Sequence, residues 1–152
     1  MEFCLRYGIH PGTPNAVERI ESGLLSYRTD CGASATPLEL GLDRFMNLER
    51  KEHFIGKEAL LVEKSKGPAR RLVKILLSGD RLASPTEEPW VAFDESGNEI
   101  GEIRVAVWSP ALEANLGLAL ISSKDAGVDF NAESKEGQSY RATHLSYFGE
   151  RN

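Results

Sequence analysis

Glu21 is the residue whose type and position point most directly to chemistry, because it is an acid set among apolar neighbours. On a helical wheel of about 100° per residue, Val17, Ile20, Leu24 and Leu25 form an apolar stripe, and Glu21 lies inside that stripe. A carboxylate on the buried side of a helix is rarely left without a partner. The spacing therefore predicts that Glu21 either stabilises the fold or binds a ligand.

Two interpretations of Glu21 follow from its position alone. In the structural one, the carboxylate caps a backbone group or pairs with Arg19 or Arg28. In the functional one, it binds a flat heterocycle, whose ring N–H and neighbouring NH₂ can donate two parallel hydrogen bonds to one carboxylate. The spacing does not choose between them.

The other chemistry-bearing side chains do not form a recognisable constellation. His10, His53 and His144 are single and widely spaced, and Cys4 and Cys31 are too few for a four-ligand zinc site or a disulfide framework. No serine sits in a G-x-S-x-G elbow. We predict no metal site and no catalytic nucleophile in this sequence.

Composition and charge exclude several classes of protein. The 152 residues carry 18 basic and 23 acidic side chains, a net charge of −5 without any lysine and arginine block, so nucleic acid is not an expected partner. No apolar stretch approaches the ~20 residues that a membrane-spanning helix needs, and no secretory signal opens the chain. With two cysteines, the sequence predicts a cytoplasmic protein.

Residues 1–67 are predicted to be helical, in three segments. Thr13–Pro14 begins the first helix, which should end at about Gly23 or Leu24. The Thr36–Glu39 capping box begins the second, in which Leu38, Leu42 and Phe45 recur at helical spacing. Gly56 begins the third, which should end before Gly67. Helices this short are marginal alone in water. The segment must therefore lie across another domain, pair with a second chain, or complete a larger domain.

Residues 68–152 are predicted to form an antiparallel β-barrel, with the domain boundary at Gly67–Pro68. Two runs alternate with a period of two, which places Val73, Ile75, Leu77, Ile103, Val105 and Val107 inside the barrel. The other predicted strands are Trp90–Phe93, Leu116–Ile121, Val128–Asn131 and Tyr140–Phe148. Trp108 lies at a strand end, where core packing is the first interpretation and stacking on a ligand the second.

Five ordered blocks over residues 15–121 resemble the glycine-cleavage T-protein (aminomethyltransferase) family. They are Arg19–Tyr27, similar to R-L-E-A-G-L-x-x-Y; Thr36–Leu42, similar to T-P-x-E-x-G-L; Phe54–Leu60, similar to F-I-G-K-E-A-L; Gly67–Val73, similar to the entry into the family's barrel; and Gly101–Leu120, similar to G-x-V-T-S-G-x-Y-S-P followed by I-A-L-A. The first block also resembles the dimethylsulfoniopropionate demethylase and dimethylglycine/sarcosine branches.

The resemblance implies the C-terminal part of a tetrahydrofolate-dependent methyl or aminomethyl transferase. Its fold would be mainly β with α, a Greek-key-like barrel preceded by the helical remnant of an α+β folate-binding domain. The family's folate contacts fall on Glu21, on Tyr27, and on Arg50 or its neighbour Lys51, and Trp108 stands where the family has tyrosine. The resemblance thus favours the ligand interpretation of Glu21.

The same resemblance implies that the catalytic aspartate lies in an N-terminal half that this sequence lacks, so no catalytic residue is assigned here. The expected partners are folate and a methyl donor in the longer protein, and a homodimer through the exposed helical front, residues 1–67. The alternative function is a non-catalytic barrel that binds folate or a partner protein, like the iron–sulfur-assembly relatives of the superfamily. Those relatives carry K-G-C-Y-x-G-Q-E where this chain has His53–Glu58, which favours the transferase.

Overall fold

A computed structural model describes residues 15–147, apart from the side chain of Tyr147, and shows a closed antiparallel barrel of six strands with two short α-helices. The strands are β1 (Arg70–Leu77), β2 (Trp90–Phe93), β3 (Glu99–Ser109), β4 (Ala114–Ser122), β5 (Phe130–Glu133) and β6 (Ser139–Tyr147). Around the barrel they follow the order β1-β4-β3-β2-β5-β6. The predicted fold class is confirmed, and β1 pairs with β4 in the manner of a Greek key.

The barrel interior is filled by side chains from all six strands, as the period of two predicts. Val73, Ile75 and Leu77 of β1 are buried there with Ile103 of β3. Further members are Trp90, Ala92, Ile100, Ala106, Ala119, Ile121, Phe130, Ala132, Tyr140 and Ala142. Four of the six residues predicted inside the barrel are therefore confirmed.

Val105 and Val107 are buried, but their predicted place inside the barrel is wrong. Both belong to a second apolar layer on the outer face of the sheet. The reason is a β-bulge: Ile103 pairs with Ala119 and Val105 with Leu118, so Arg104 is an extra residue. An extra residue exchanges the two faces of a strand, because side chains alternate with a period of exactly two.

The outer layer exists because α1 (Ala16–Ser22) covers that face of the barrel. Ile20, with no exposed surface, packs with Leu116 and Leu118 of β4 and with Val105 of β3. Of the three arrangements considered for the front, this helix adopts the first and lies across the barrel. The division of the chain into domains at residues 67 and 68 stays a prediction.

The first helix has Asn15 as its N-cap, and the predicted Thr13–Pro14 cap lies outside the described residues. Asn15 accepts a hydrogen bond from the Glu18 N–H at 2.9 Å, and the Glu18 carboxylate accepts one from the Asn15 N–H at 3.1 Å. These two bonds form a capping box in which asparagine takes the place of the usual serine or threonine and satisfies two free N–H groups. The predicted end is confirmed, because Gly23 caps the helix at φ 73°.

The second predicted helix is wrong, although its capping box forms. The Thr36 N–H donates to Glu39 Oε2 and the Glu39 N–H to Thr36 Oγ1, at 3.0 and 3.2 Å. The Glu39 carbonyl, however, accepts from Leu72 N of β1 at 2.8 Å, so it is taken from the helical ladder. Gly41 then turns to φ 67°, and only one 3-10 turn follows, at Asp43–Phe45.

The third predicted helix is confirmed as α2 (Lys57–Lys66), with Gly56 at its N-cap and Gly67 after its last residue. None of its residues is buried. Glu63 Oε1 accepts a hydrogen bond from Thr36 Oγ1 at 2.6 Å, which ties the helix to the preceding loop. No helix within residues 15–147 is long and apolar enough to cross a membrane.

A bidentate ion pair joins the front to β1. Arg70 Nε and Nη2 donate to the two carboxylate oxygens of Glu39, each at 2.9 Å, and Arg70 Nη2 also donates to the Ser34 carbonyl. Burial alone raises the pKa of Glu39, but the hydrogen bonds from Arg70 and the Thr36 N–H, with the Arg70 charge, outweigh it and lower the pKa. The pair thus ties Glu39 ionisation to folding.

We expect the Glu39–Arg70 pair to make stability depend on acid pH. Because the folded-state pKa of Glu39 is depressed, its contribution is complete above the unfolded value of about 4.3 and is lost as pH falls through the folded value. Urea midpoints of the wild type and Glu39→Gln should differ at pH 7 and converge as the pH falls below about 4.3 and through the folded-state pKa of Glu39. A difference that is constant with pH would contradict this assignment.

Candidate functional site

The candidate site is a cavity of about 230 Å³ on the outer face of the barrel, beside the C-terminal end of α1. It is lined by one acid, one base, one hydroxyl and four apolar side chains: Glu21, Lys74, Ser146, Ala111, Leu112, Leu116 and Leu145. These residues come from α1, β1, β4, β6 and the turn between β3 and β4. Five separate segments therefore converge on Glu21.

Glu21 is held in place from both sides of its helix turn. The preceding residue, Ile20, is fully buried in the outer apolar layer and anchors the helix to the sheet. Glu21 Oε1 accepts a hydrogen bond from Ser109 Oγ at 2.6 Å, and Ser109 Oγ in turn accepts from Leu112 N at 3.1 Å. Buried Ser109 therefore fixes both the carboxylate and the turn that lines the cavity.

The structure gives Glu21 a hydroxyl partner in place of an arginine. Of the two arginines considered for it, Arg19 pairs with Asp30, and Arg28 adopts a left-handed backbone (φ 79°) in the loop that follows α1. Among the described residues, Glu21 Oε2 accepts no hydrogen bond. The carboxylate is half-buried, and it lines the cavity.

Lys74 places a basic group in the same cavity. It lies on the outer face of β1, opposite Leu118 of β4 and Ser146 of β6. Burial lowers the pKa of Lys74 from its ordinary value. The next residue of β1, Ile75, is opposite His144, so Leu145 has no partner on β1 and is the extra residue of a β-bulge. The Leu145 side chain lines the cavity.

A buried ion pair braces the loop after Glu21. Asp30, with no exposed surface, accepts hydrogen bonds from the Arg19 guanidinium and, at 2.7 Å, from the Ser26 N–H. Arg19 also donates to the Leu24 carbonyl at 3.3 Å. The pair therefore links α1 to both ends of the loop at residues 24–30, and so fixes the helix end that carries Glu21.

The other predicted folate contacts do not line this cavity. Tyr27 is 65% exposed in the loop after α1, and the Arg50 side chain is 53% exposed and pairs with Glu52 at 3.2 Å. Trp108 precedes Ser109 on β3 and faces the opposite side of the strand, where Arg81 lies 5.3 Å from its ring centre. Of the four predicted residues, the structure brings only Glu21 into the cavity.

Apart from Glu21, none of the residues that form the site was predicted as a site residue from the sequence, and Lys74, Ser109 and Leu145 show why. Lys74 alternates with buried residues, as an ordinary solvent-facing residue of a strand does, and the pair Ser109–Pro110 has the composition of a turn. Leu145 reaches the cavity through a bulge that has no glycine or proline signal. Only contacts between distant segments could identify them, since Ser109 and Glu21 are 88 residues apart.

Comparison with known proteins identifies the family. The family model described as "glycine cleavage T-protein C-terminal barrel domain" matches residues 70–146 of this chain. These residues run from the start of β1 nearly to the end of β6. The chain belongs to the glycine cleavage T-protein family. The resemblance seen in the sequence blocks is therefore confirmed, and the T-protein barrel is the part of the family that this chain contains.

Two curated relatives show how much of a T-protein-like chain is present. Dimethylsulfoniopropionate demethylase DmdA of Ruegeria pomeroyi is 32% identical over 131 residues, covering 85% of this chain and 35% of the relative. The aminomethyltransferase of Caldanaerobacter subterraneus is 37% identical over 124 residues, covering 80% and 32%. The chain thus spans about a third of the length of these relatives.

A solved structure supports the fold. The glycine cleavage system aminomethyltransferase T from Bartonella henselae superposes with a TM-score of 0.74 at 24% identity. The match covers 86% of this chain and 36% of that one. The family description matches 77 residues, all of them in the barrel, and the structural match covers more of the chain than that. The shared fold therefore also includes part of the front, which precedes the barrel.

Proposed function

We propose that this chain provides the C-terminal barrel, and one part of the folate site, of a tetrahydrofolate-dependent methyl or aminomethyl transferase. The observation that carries the proposal is the position of Glu21, whose carboxylate lines a cavity and leaves Oε2 without a partner among the described residues. The sequence blocks around Glu21 and membership of the T-protein family support the same function.

The chemistry of the carboxylate suits a pterin ring. Such a ring carries an N–H beside an NH₂ group, and a carboxylate has about four lone-pair positions for donors. Ser109 occupies only one position on Oε1, so two ligand donors can still be accepted. Ser109 also orients the carboxylate plane in advance, which lowers the entropic cost of binding.

The size of the cavity supports a site of which this chain forms only one part. Its 230 Å³ lie below the ~300–1,000 Å³ of complete small-molecule sites. Tyr27, Arg50 and Trp108 remain proposed contacts by resemblance, and each lies outside the cavity. We infer that the part of the relatives' length not spanned by this chain supplies the remaining wall, the methyl donor site and the catalytic group.

The proposal is tested by calorimetry with tetrahydrofolate on two proteins. One is residues 1–152, and the other is the same chain joined behind the N-terminal two-thirds of the Caldanaerobacter aminomethyltransferase. We expect saturable binding by the joined protein and much weaker binding by residues 1–152. Absence of binding by a joined protein that melts cooperatively would contradict the proposal.

The alternative, a non-catalytic barrel that binds a partner, is favoured by one observation. The helix α2 has no buried residue, and apolar side chains of the front remain exposed: Leu24, Tyr27, Phe45, Ile55, Leu61 and Val62. A joined protein that binds folate but forms no methylated or aminomethylated folate with any donor would support this alternative.

We expect the exposed apolar surface of the front to make residues 1–152 self-associate, as surfaces of this kind do when nothing covers them. Light scattering at rising concentration should show a dimer. The double variant Leu61→Glu/Val62→Lys should remain a monomer, because both side chains lie on the exposed surface of α2. A strict monomer at high concentration in the wild type would refute this expectation.

A further inference from the structure

Lys74 is a charged residue between two apolar neighbours on the outer face of β1. Val73 and Ile75 fill the barrel interior, so the residues that alternate with them face outward. These are Leu72, which is buried in the outer apolar layer, Lys74 itself, and Leu76, which packs against that layer. The lysine therefore lies in an outward row that is otherwise apolar.

This position has a cost for an ammonium group, because burial removes part of its hydration. Lys74 is half-buried, and Leu118, opposite it on β4, has no exposed surface. Burial lowers the pKa of Lys74, which is the direction expected when the charged form loses solvent. A methionine would fill the same place without this cost, so the charge calls for an explanation in function.

Lys74 and Glu21 line the same cavity of about 230 Å³. They reach it from different elements, Glu21 from the last turn of α1 and Lys74 from the middle of β1. The leucines of the lining, Leu112, Leu116 and Leu145, add apolar walls. The cavity thus offers one ligand an acceptor, a donor of opposite charge and apolar surface.

The edge of a 4-oxo pterin carries groups that match both charges. Along this edge stand an NH₂ group, a ring N–H and a C=O, which are two donors followed by one acceptor. The Glu21 carboxylate can accept from the two donors, but it has nothing to donate to the carbonyl. An ammonium group has three donors and no acceptor, so Lys74 supplies the group that the carboxylate lacks.

We propose that Lys74 selects a 4-oxo pterin over a 4-amino pterin by donating a hydrogen bond to the ring carbonyl, while Glu21 accepts from the neighbouring donors. This inference rests on the folate function proposed above and names the residue that determines its specificity. In a 4-amino pterin an NH₂ group replaces the carbonyl, so it meets the ammonium group donor to donor. A site group left unpaired in this way discriminates strongly against the wrong ligand.

The test is calorimetry on the joined protein, with tetrahydrofolate and its 4-amino analogue as the two ligands. The wild type should bind tetrahydrofolate more tightly by about tenfold or more. Lys74→Met keeps an unbranched stem and should weaken tetrahydrofolate about tenfold, while the analogue binds as well as before or better. Lys74→Gln can turn its amide either way, so it should bind the two ligands equally well even if Lys74→Met fails to melt cooperatively.

A matched control separates the position of the charge from its presence. Lys124→Met removes the same charge from a side chain that is 79% exposed between β4 and β5, and both of its affinities should equal those of the wild type. Equal binding of the two ligands by the wild type would overturn the inference.

A preference that Lys74→Gln retains, or a loss in Lys74→Met that is the same for both ligands, would also overturn the inference, because Lys74 would then be a structural residue. In each of these cases tetrahydrofolate still binds the wild type, so the proposed function stands. A wild-type joined protein that melts cooperatively and binds neither ligand would instead overturn the proposed function, and this inference with it.

Discussion

Replacing Arg19 by methionine is expected to destabilise the protein by about 3–5 kcal/mol, the cost of leaving a buried charge without its partner. Asp30 has no exposed surface, and its Oδ1 has no partner among the described residues even with Arg19 present. Without the guanidinium, the Asp30 carboxylate keeps, among residues 15–147, only the hydrogen bond from Ser26 N. Urea unfolding should report the loss as a lower midpoint with an unchanged slope.

Two variants decide whether the loss comes from the buried charge. Arg50→Met removes an arginine from an exposed pair with Glu52, and its effect should stay within about 0.5 kcal/mol. The double variant Arg19→Met/Asp30→Asn removes both charges and should recover much of the stability. If Arg19→Met alone unfolds like the Arg50 control, the brace contributes nothing and this explanation of the loop after α1 is wrong.

The strands could be predicted because their signal is local. Short apolar runs with turn residues between them place β2 at its observed bounds and β4 and β6 within one or two residues. The strands β1 and β3 begin three or more residues before the alternating runs that predict them. β5 is shifted by two residues from its predicted start at Val128, because the alternation there is short. The barrel follows from the number of such strands and the lack of helices between them.

The failures come from contacts between distant segments. The bulge at Arg104 moves Val105 and Val107 to the outer layer, and no glycine or proline marks it. Likewise, the Thr36–Glu39 capping box forms as predicted, but the helix does not, because the Glu39 carbonyl accepts its hydrogen bond from Leu72 N of β1. In both cases a tertiary contact outweighs a local preference of smaller free energy.

The site was predicted only at its acid. The helical wheel identified Glu21 as a carboxylate on the buried side, and the structure places it in a cavity. The wheel could not identify Ser109, which stands at the end of a strand far along the chain and turns out to be the group that orients Glu21. Sequence spacing finds residues within one element, whereas a site assembled from five segments requires the fold.

Glu21→Gln is the variant that decides the function of the cavity. Glutamine keeps the size of the side chain but has one acceptor oxygen, which Ser109 can occupy, and an NH₂ group that faces the donors of the ligand. Each lost charge-assisted hydrogen bond is worth ~1–3 kcal/mol, and each ~1.4 kcal/mol is tenfold. In the joined protein, affinity for tetrahydrofolate should fall by on the order of 10–100-fold.

Stability separates a ligand carboxylate from a structural one. If Glu21 exists for the ligand, Glu21→Gln should leave the melting temperature unchanged or raise it, because a half-buried charge is removed. Glu18→Gln, one turn earlier on α1, is the matched control, since glutamine also completes a capping box and the charge change is the same. Its folate affinity should equal that of the wild type. Unchanged folate affinity with lost stability in Glu21→Gln would instead make Glu21 a structural partner of Ser109.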